Sequence, residues 1–317
     1  MPMDTWLLDV IACPHDGRRL AVVRGGHAKS GGLEVGTIAC AHCNHHFPVV
    51  GGVPLVVPAP HQWVASYHDA ILAALSEAGR ATRKAVDLIN EFAAHAPHSE
   101  PLRFADDWVD AEVMSEHDDG LTIVDHGSPA RAFADFIENA RNRGPREVLL
   151  EMLDGHTWGT VVEVGSGAGS FAKAIRMRAK RYVVCDLSLR AVLKSLESAR
   201  RTRGSLMAGA VVDADRMRLR SGSCHTIVAA QLVDLLNHPA DFFGEAARAL
   251  SKRGRLALIT PAPDLGDYQN DEWALRRLVE GAGFAVEDER DGVPWIREHS
   301  SRYFQVYFAL AMVAART

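Results

Sequence analysis

Three carboxylates and a run of glycines fall where strands give way to turns. In Val161-Val-Glu163-Val-Gly165-Ser-Gly167-Ala-Gly169-Ser-Phe171 a β-branched run leads into a glycine turn and then a helix start. Such a turn lets backbone approach a nucleotide-like ligand at a helix N-terminus, where unpaired amides point outward. A dinucleotide fingerprint needs glycine or alanine at the next step, and Ser170 is neither. Asp186 closes a second apolar run, Arg181-Tyr-Val-Val-Cys-Asp186, and Asp213 follows a third, Ala210-Val-Val. A carboxylate at the second strand end can accept from both hydroxyls of a ribose.

A second group is near the N-terminus, in Cys13-Pro-His15-Asp16-Gly17 and Cys40-Ala-His-Cys43-Asn-His45-His46. Two tight turns after strands bring four ligands into tetrahedral reach of zinc, which accepts thiolate, imidazole and carboxylate. Cys13, Asp16, Cys40 and Cys43 are the expected set. Asp16 holds the place of a fourth cysteine, and His45 or His46 is an alternative to it.

These residues demand particular elements. The spacing of Glu163 and Asp186 leaves room for one turn, a helix from Phe171 to about Arg178, and one strand: a βαβ unit with both strand ends side by side. A helix from Leu187 to about Arg201 leads to the third strand. Cys224–Gln231 is a fourth, a helix is expected near Asp241–Leu250, and Gly254–Pro261 is a fifth strand.

The acid-x-Gly-x-Gly-x-Gly turn, the two following acids and this order of elements resemble the class I S-adenosylmethionine (SAM) methyltransferases, from Trp158 to the C-terminus. The resemblance implies an α/β Rossmann-like sheet and SAM as the methyl donor. It assigns Glu163, Gly165, Gly167 and Gly169 to the amino-acid tail and Asp186 to the ribose. Asp213 would take the adenine amine and the Ala214 amide a ring nitrogen, with Leu187 and Gln231 completing the cofactor contacts. The Asn/Asp-Pro-Pro-Tyr/Phe tetrad of many adenine- and glutamine-N-methyltransferases is absent, because Ala229-Ala-Gln-Leu stands there.

Leu-Leu-Asp-Val-Ile-Ala-Cys13-Pro and Phe-Pro-Val-Val-Gly-Gly-Val-Pro-Leu are similar to a small zinc-ribbon family whose best-known members activate tRNA and protein methyltransferases. That resemblance covers about Trp6 to Val57 and implies a structural zinc. The expected organisation is a zinc-ribbon-like domain over 1–60, a helical lid segment over 61–155 and the methyltransferase domain over 156–317. Trp63, Tyr67, Ile71 and Leu75 recur every four residues, and Val86, Ile89 and Phe92 continue at helical spacing. Further helices are expected over 130–142 and from Gly144-Pro145 to Leu153, with a solvated acidic stretch over 105–120. Added helices of this kind commonly cross the strands' C-terminal edge in the family and close the pocket.

Methyl transfer requires alignment, exclusion of water and, for some acceptors, a base. His238 is the economical base for a hydroxyl acceptor, since imidazole titrates near neutrality. Asp234 would orient it or bind an amine. Tyr268, Glu272, Trp273, Trp295 and His299 are further substrate-side candidates.

The 317 residues carry a net charge of −5, with 47% apolar and 24% charged residues. That balance disfavours a large nucleic-acid surface, which needs clustered Lys and Arg. No apolar run spans a bilayer, and Met-Pro-Met-Asp-Thr-Trp-Leu-Leu does not open like a secretory signal, so a cytoplasmic protein is expected. Five cysteines form no disulfide framework, and Cys185 and Cys224 are expected to be buried in strands. The expected acceptor is a small molecule, with an RNA base as the alternative and a non-catalytic SAM-binding subunit as a second alternative. A homodimer is left open.

Overall fold

The computed structural model describes residues 2–27, 32–97, 144–156, 158–200, 202–261, 273–300 and 303–317. The expected acidic stretch at 105–120 and the helix at 130–142 lie outside them, as do Tyr268, Glu272 and the side chain of His299.

The second half of the chain alternates strand and helix as its apolar runs dictate. The strands are β5 (Thr160–Val164), β6 (Arg181–Asp186), β7 (Leu206–Val212), β8 (Cys224–Ala230), β9 (Leu250–Thr260), β10 (Phe284–Ser300) and β11 (Tyr303–Arg316). Between them run α5 (Ala172–Arg178), α6 (Leu189–Arg200), α7 (Pro239–Ala249) and α8 (Ala274–Gly281). β5 to β9 are parallel and nearly all buried, as strands covered on both faces must be. The third strand starts earlier than Ala210. Gly209 interrupts its apolar pattern in sequence, yet in the sheet it admits Val192 of α6, whose side chain would lie 2.5 Å from an added Cβ.

The N-terminal strands β1 (Leu20–His27), β2 (Leu33–Cys40), β3 (His46–Val50) and β4 (Val53–Val56) form an antiparallel meander. It does not stand apart. β4 pairs in parallel with β7, Leu55 opposite Val211 and Val56 opposite Val212, giving, among the described residues, one eleven-stranded sheet in the order β1-β2-β3-β4-β7-β6-β5-β8-β9-β11-β10. Each of these buried aliphatic side chains contributes about 1.5–3 kcal/mol. A second seam joins Val10–Ala12 to the segment before β8: the Ala12 amide donates to the Arg218 carbonyl at 3.0 Å and the Arg220 amide to Val10 at 2.7 Å. Arg181 lies over the Trp6 ring at 5.4 Å. Met3, Leu7, Ile11, Cys13 and Cys40 share one core with Val162, Val183 and Ile227.

Helices α1 (Pro60–Ser66), α2 (His68–Glu77) and α3 (Arg83–Ala94) bury Trp63, Tyr67, Ile71, Leu75, Ile89 and Phe92 as their spacing required. They belong to the segment expected as a lid, of which 98–143 lies outside the described residues. They share a core with Val184, Val192, Leu196 and Val211, and so cover a face of the sheet beside α6. α4 (Pro145–Met152) buries Leu149 and Met152 in the same core, with Ile259 and Val313.

The segment carrying Trp295 is strand: β10 and β11 make a hairpin in which Trp295 stacks on Tyr307 at 4.7 Å. Cys185 and Cys224 are fully buried, as expected of small apolar side chains inside strands. No helix among the described residues is long and apolar enough to cross a membrane.

Candidate functional site

The sheet order reverses at β5, whose following strand β6 lies on one side and β8 on the other. The crevice outside the C-terminal ends of these strands is where open α/β sheets bind ligands. Residues 165–169 run over the end of β5, with positive φ at Gly165, Gly167 and Gly169. At Gly167 an added Cβ would meet nothing within 4 Å, so the turn presents bare backbone to open space.

Glu163 is not in that space. Its carboxyl is buried and accepts the Tyr182 hydroxyl from the neighbouring strand. Burial raises its pKa to about 8, with the Tyr182 hydrogen bond opposing. The acid therefore ties the end of β5 to β6 beneath the turn. Tyr182 as its partner follows from strand register, which pairs Val161 with Tyr182 and Glu163 with Val184 on one face of the sheet.

Asp186 receives the Gly167 amide on one oxygen and the Ser188 amide on the other, both at 2.9 Å. Burial raises its pKa, and the amides of Ser188, Gly167 and Leu187 oppose that. Each oxygen retains a lone pair for a further donor. Asp213 ends β7, is buried, and accepts the Asp215 amide at 3.1 Å at the head of a short 3-10 turn, Ala214–Arg216. Its pKa is likewise raised, chiefly by burial.

After β8, Gln231 has φ +55, a left-handed backbone that non-glycine residues adopt at a cost of about 1–3 kcal/mol. The distortion turns the chain so that Leu232 packs on Gly165, 3.1 Å from where a Cβ would be. The Gln231 amide donates to the Ile259 carbonyl at 2.7 Å, and Asp234 accepts the Thr260 hydroxyl at 3.0 Å, so β9 holds this loop. His238 is exposed at the head of α7, and its amide donates to Asp215 at 2.8 Å. The fold thus gathers Gly165–Gly169, Asp186 with Leu187, Asp213 with Ala214, and Gln231–His238 at one edge. Trp273 is exposed just ahead of α8.

Residues 162–258 match the family described as a methyltransferase domain. The chain carries a methyltransferase domain. No curated protein matches the sequence. Among solved structures, the chain is similar to the N-methyltransferase NodS of Bradyrhizobium japonicum with bound S-adenosylhomocysteine, at 14% identity and TM-score 0.43, covering 56% of this chain and 97% of that one. It is also similar to a SAM-dependent methyltransferase of Mesorhizobium loti, at 15% identity and TM-score 0.43, covering 54% and 97%. A chain of the Haloferax volcanii Trm112 methyltransferase-activator complex is similar at 17% identity and TM-score 0.44, covering 58% and 94%.

Away from the methyltransferase domain's strand ends, Cys13, Asp16, Cys40 and Cys43 place one ligand atom each within 4.8 Å of one another. The two turns that carry them close alike: Gly17 donates to the Cys13 carbonyl at 2.8 Å and Asn44 to the Cys40 carbonyl at 2.9 Å, both with left-handed φ. Asp16 occupies in the first turn the place of Cys43 in the second. Cys13 and Cys43 sulfurs are 3.4 Å apart, and Cys40 lies 3.5 Å from both Asp16 oxygens. Burial works against the Asp16 charge, but the Arg18 amide, His42 and Cys40 outweigh it and hold the carboxyl well below the usual carboxylate range. His42 contacts Asp16 at 2.9 Å, while His45 contacts Cys43 at 3.2 Å and stacks on His15. The group of ligand atoms within 4.8 Å of one another includes Asp16 and neither imidazole.

Asp186→Ala is expected to weaken SAM binding by about 1–3 kcal/mol, the scale of losing charged hydrogen bonds. Titration calorimetry on the parent and the variant provides the check, and equal affinities would remove Asp186 from the cofactor contacts.

Proposed function

We propose that this protein transfers a methyl group from SAM to a small-molecule acceptor bound beside the loop 231–238. The observation that carries the proposal is the gathering of a bare glycine turn, the half-buried Asp186 and the buried Asp213 at the strand ends beside the sheet's switch point. The Gly165–Gly169 backbone would cradle the amino-acid tail, Asp186 would accept the ribose hydroxyls on its remaining lone pairs, and Asp213 with the Ala214 amide would meet the adenine. Leu187 and Gln231 would flank the base and the donor end. Glu163 would act from beneath, fixing the turn through Tyr182. SAM supplies an activated methyl, so the chain's own residues need only orient the acceptor, exclude water and take up a proton.

Asp234, held to β9 by Thr260, and His238, exposed at the helix entry, are the polar groups offered to the acceptor. The net charge of −5 favours a small molecule over a nucleic acid, whose binding depends on phosphate contacts. The test is transfer of labelled methyl from SAM into a small-molecule extract and, separately, into purified RNA. Labelling of RNA alone would overturn the acceptor class. With a labelled small molecule in hand, His238→Ala should lower turnover about 100-fold or more while SAM affinity stays near the parent's, the scale of losing a general base. Turnover within a few-fold of the parent would leave His238 outside the chemistry.

We further propose that Cys13, Asp16, Cys40 and Cys43 hold a structural zinc in a ribbon. Three sulfurs and a carboxylate within 4.8 Å fit its donor preference and tetrahedral span. Bound there, zinc would cross-link the two turns.

A further inference from the structure

We infer that Asp215 is a positioning residue that ties the acceptor loop to the adenine end of the cofactor site, an inference that rests on the SAM site proposed above. The loops following β7 and β8 belong to strands separated in the sheet by β6 and β5, so strand pairing does not connect them. The Asp215 carboxylate does. One oxygen accepts the His238 amide at 2.8 Å, and the other accepts the Asn237 side-chain amide at 2.8 Å and the Asn237 backbone amide at 3.2 Å.

Asp215 in turn belongs to the short turn headed by Asp213, which accepts its amide. A continuous chain of hydrogen bonds therefore runs from the proposed adenine partner through Asp215 to His238. The α7 helix shows why the loop needs this support. His238 occupies its N-cap position without a side-chain cap bond, and the Asn237 and His238 amides leading into the helix find their acceptor in Asp215. A carboxylate at that end also suits the helix dipole, and hydrogen bonds to a charged acceptor are the stronger kind.

The rest of the loop is fixed elsewhere. Leu232 packs on Gly165, and Asp234 is held by Thr260. Asp215 thus controls the segment bearing His238, and cofactor that orders Asp213 would order that segment with it.

Amide hydrogen exchange tests this without knowledge of the acceptor. In the parent, saturating S-adenosylhomocysteine should slow exchange at Asn237 and His238 by about tenfold. Asp215→Ala should still bind S-adenosylhomocysteine within about fivefold by calorimetry, yet lose that slowing. Asn237→Ala removes the side-chain bond alone and should lose part of it, which keeps the test decisive if Asp215→Ala does not fold. If either folded variant binds S-adenosylhomocysteine and keeps the full parental slowing at His238, the coupling is wrong. If the parent binds no S-adenosylhomocysteine, the SAM site falls and the coupling falls with it.

Discussion

Gly167→Arg is expected to abolish SAM binding, with affinity reduced at least about 100-fold. Gly167 has φ +50, and a residue with a Cβ there pays roughly 1–2 kcal/mol in backbone strain. The larger effect is spatial. Nothing lies within 4 Å of the Cβ position, so an arginine would extend into the crevice where the cofactor's tail should pass. The turn itself is anchored independently: its amide donates to Asp186 at 2.9 Å and its carbonyl accepts the Ser195 hydroxyl at 3.2 Å. The variant should therefore fold, with a melting temperature lowered by several degrees at most for a strain of this size. Calorimetry with SAM is the measurement. Undiminished affinity would place the cofactor somewhere other than this turn.

The second large effect concerns metal. Protein purified without added zinc should carry about one zinc per chain, and Cys40→Ala should carry close to none. Structural zinc binds with roughly 10–16 kcal/mol in small peptides, where binding and folding are one event. Here the turns also belong to a core that runs into the methyltransferase domain through Leu7, Ile11 and Ile227. Chelation should therefore lower the melting temperature without unfolding the whole protein. A zinc content near zero, with Cys40 and Cys43 freely titrated by a thiol reagent, would remove the metal and leave the methyltransferase domain untouched.

The strands and helices of the second half were legible because their signals are local. Arg181–Asp186 is a strand over the expected residues, and the helices found at Leu189–Arg200 and Pro239–Ala249 differ from expectation by only a residue or two at most ends. Glycine turns, an apolar run and a terminal acid each act over a few residues, so sequence carries them. The cysteine turns were legible for the same reason, and in the fold they meet at one point.

What the sequence left open depends on partners distant along the chain. Glu163 and Asp186 look alike as strand-end acids, yet one is buried under Tyr182 and the other holds the turn. Asp215 stands two residues from Asp213 in plain view, but nothing near it announces Asn237 and His238 as partners.

By itself, then, the sequence determined the order of elements, the glycine turn with its acids and the paired cysteine turns, all products of local propensity and spacing. Only the tertiary structure decided that the N-terminal meander continues the sheet through β4 and β7, and that α1 to α3 cover its face. Edge pairing and helix docking are settled by which exposed backbone and apolar surface remain to be covered once the sheet exists, and no short stretch of residues encodes that remainder.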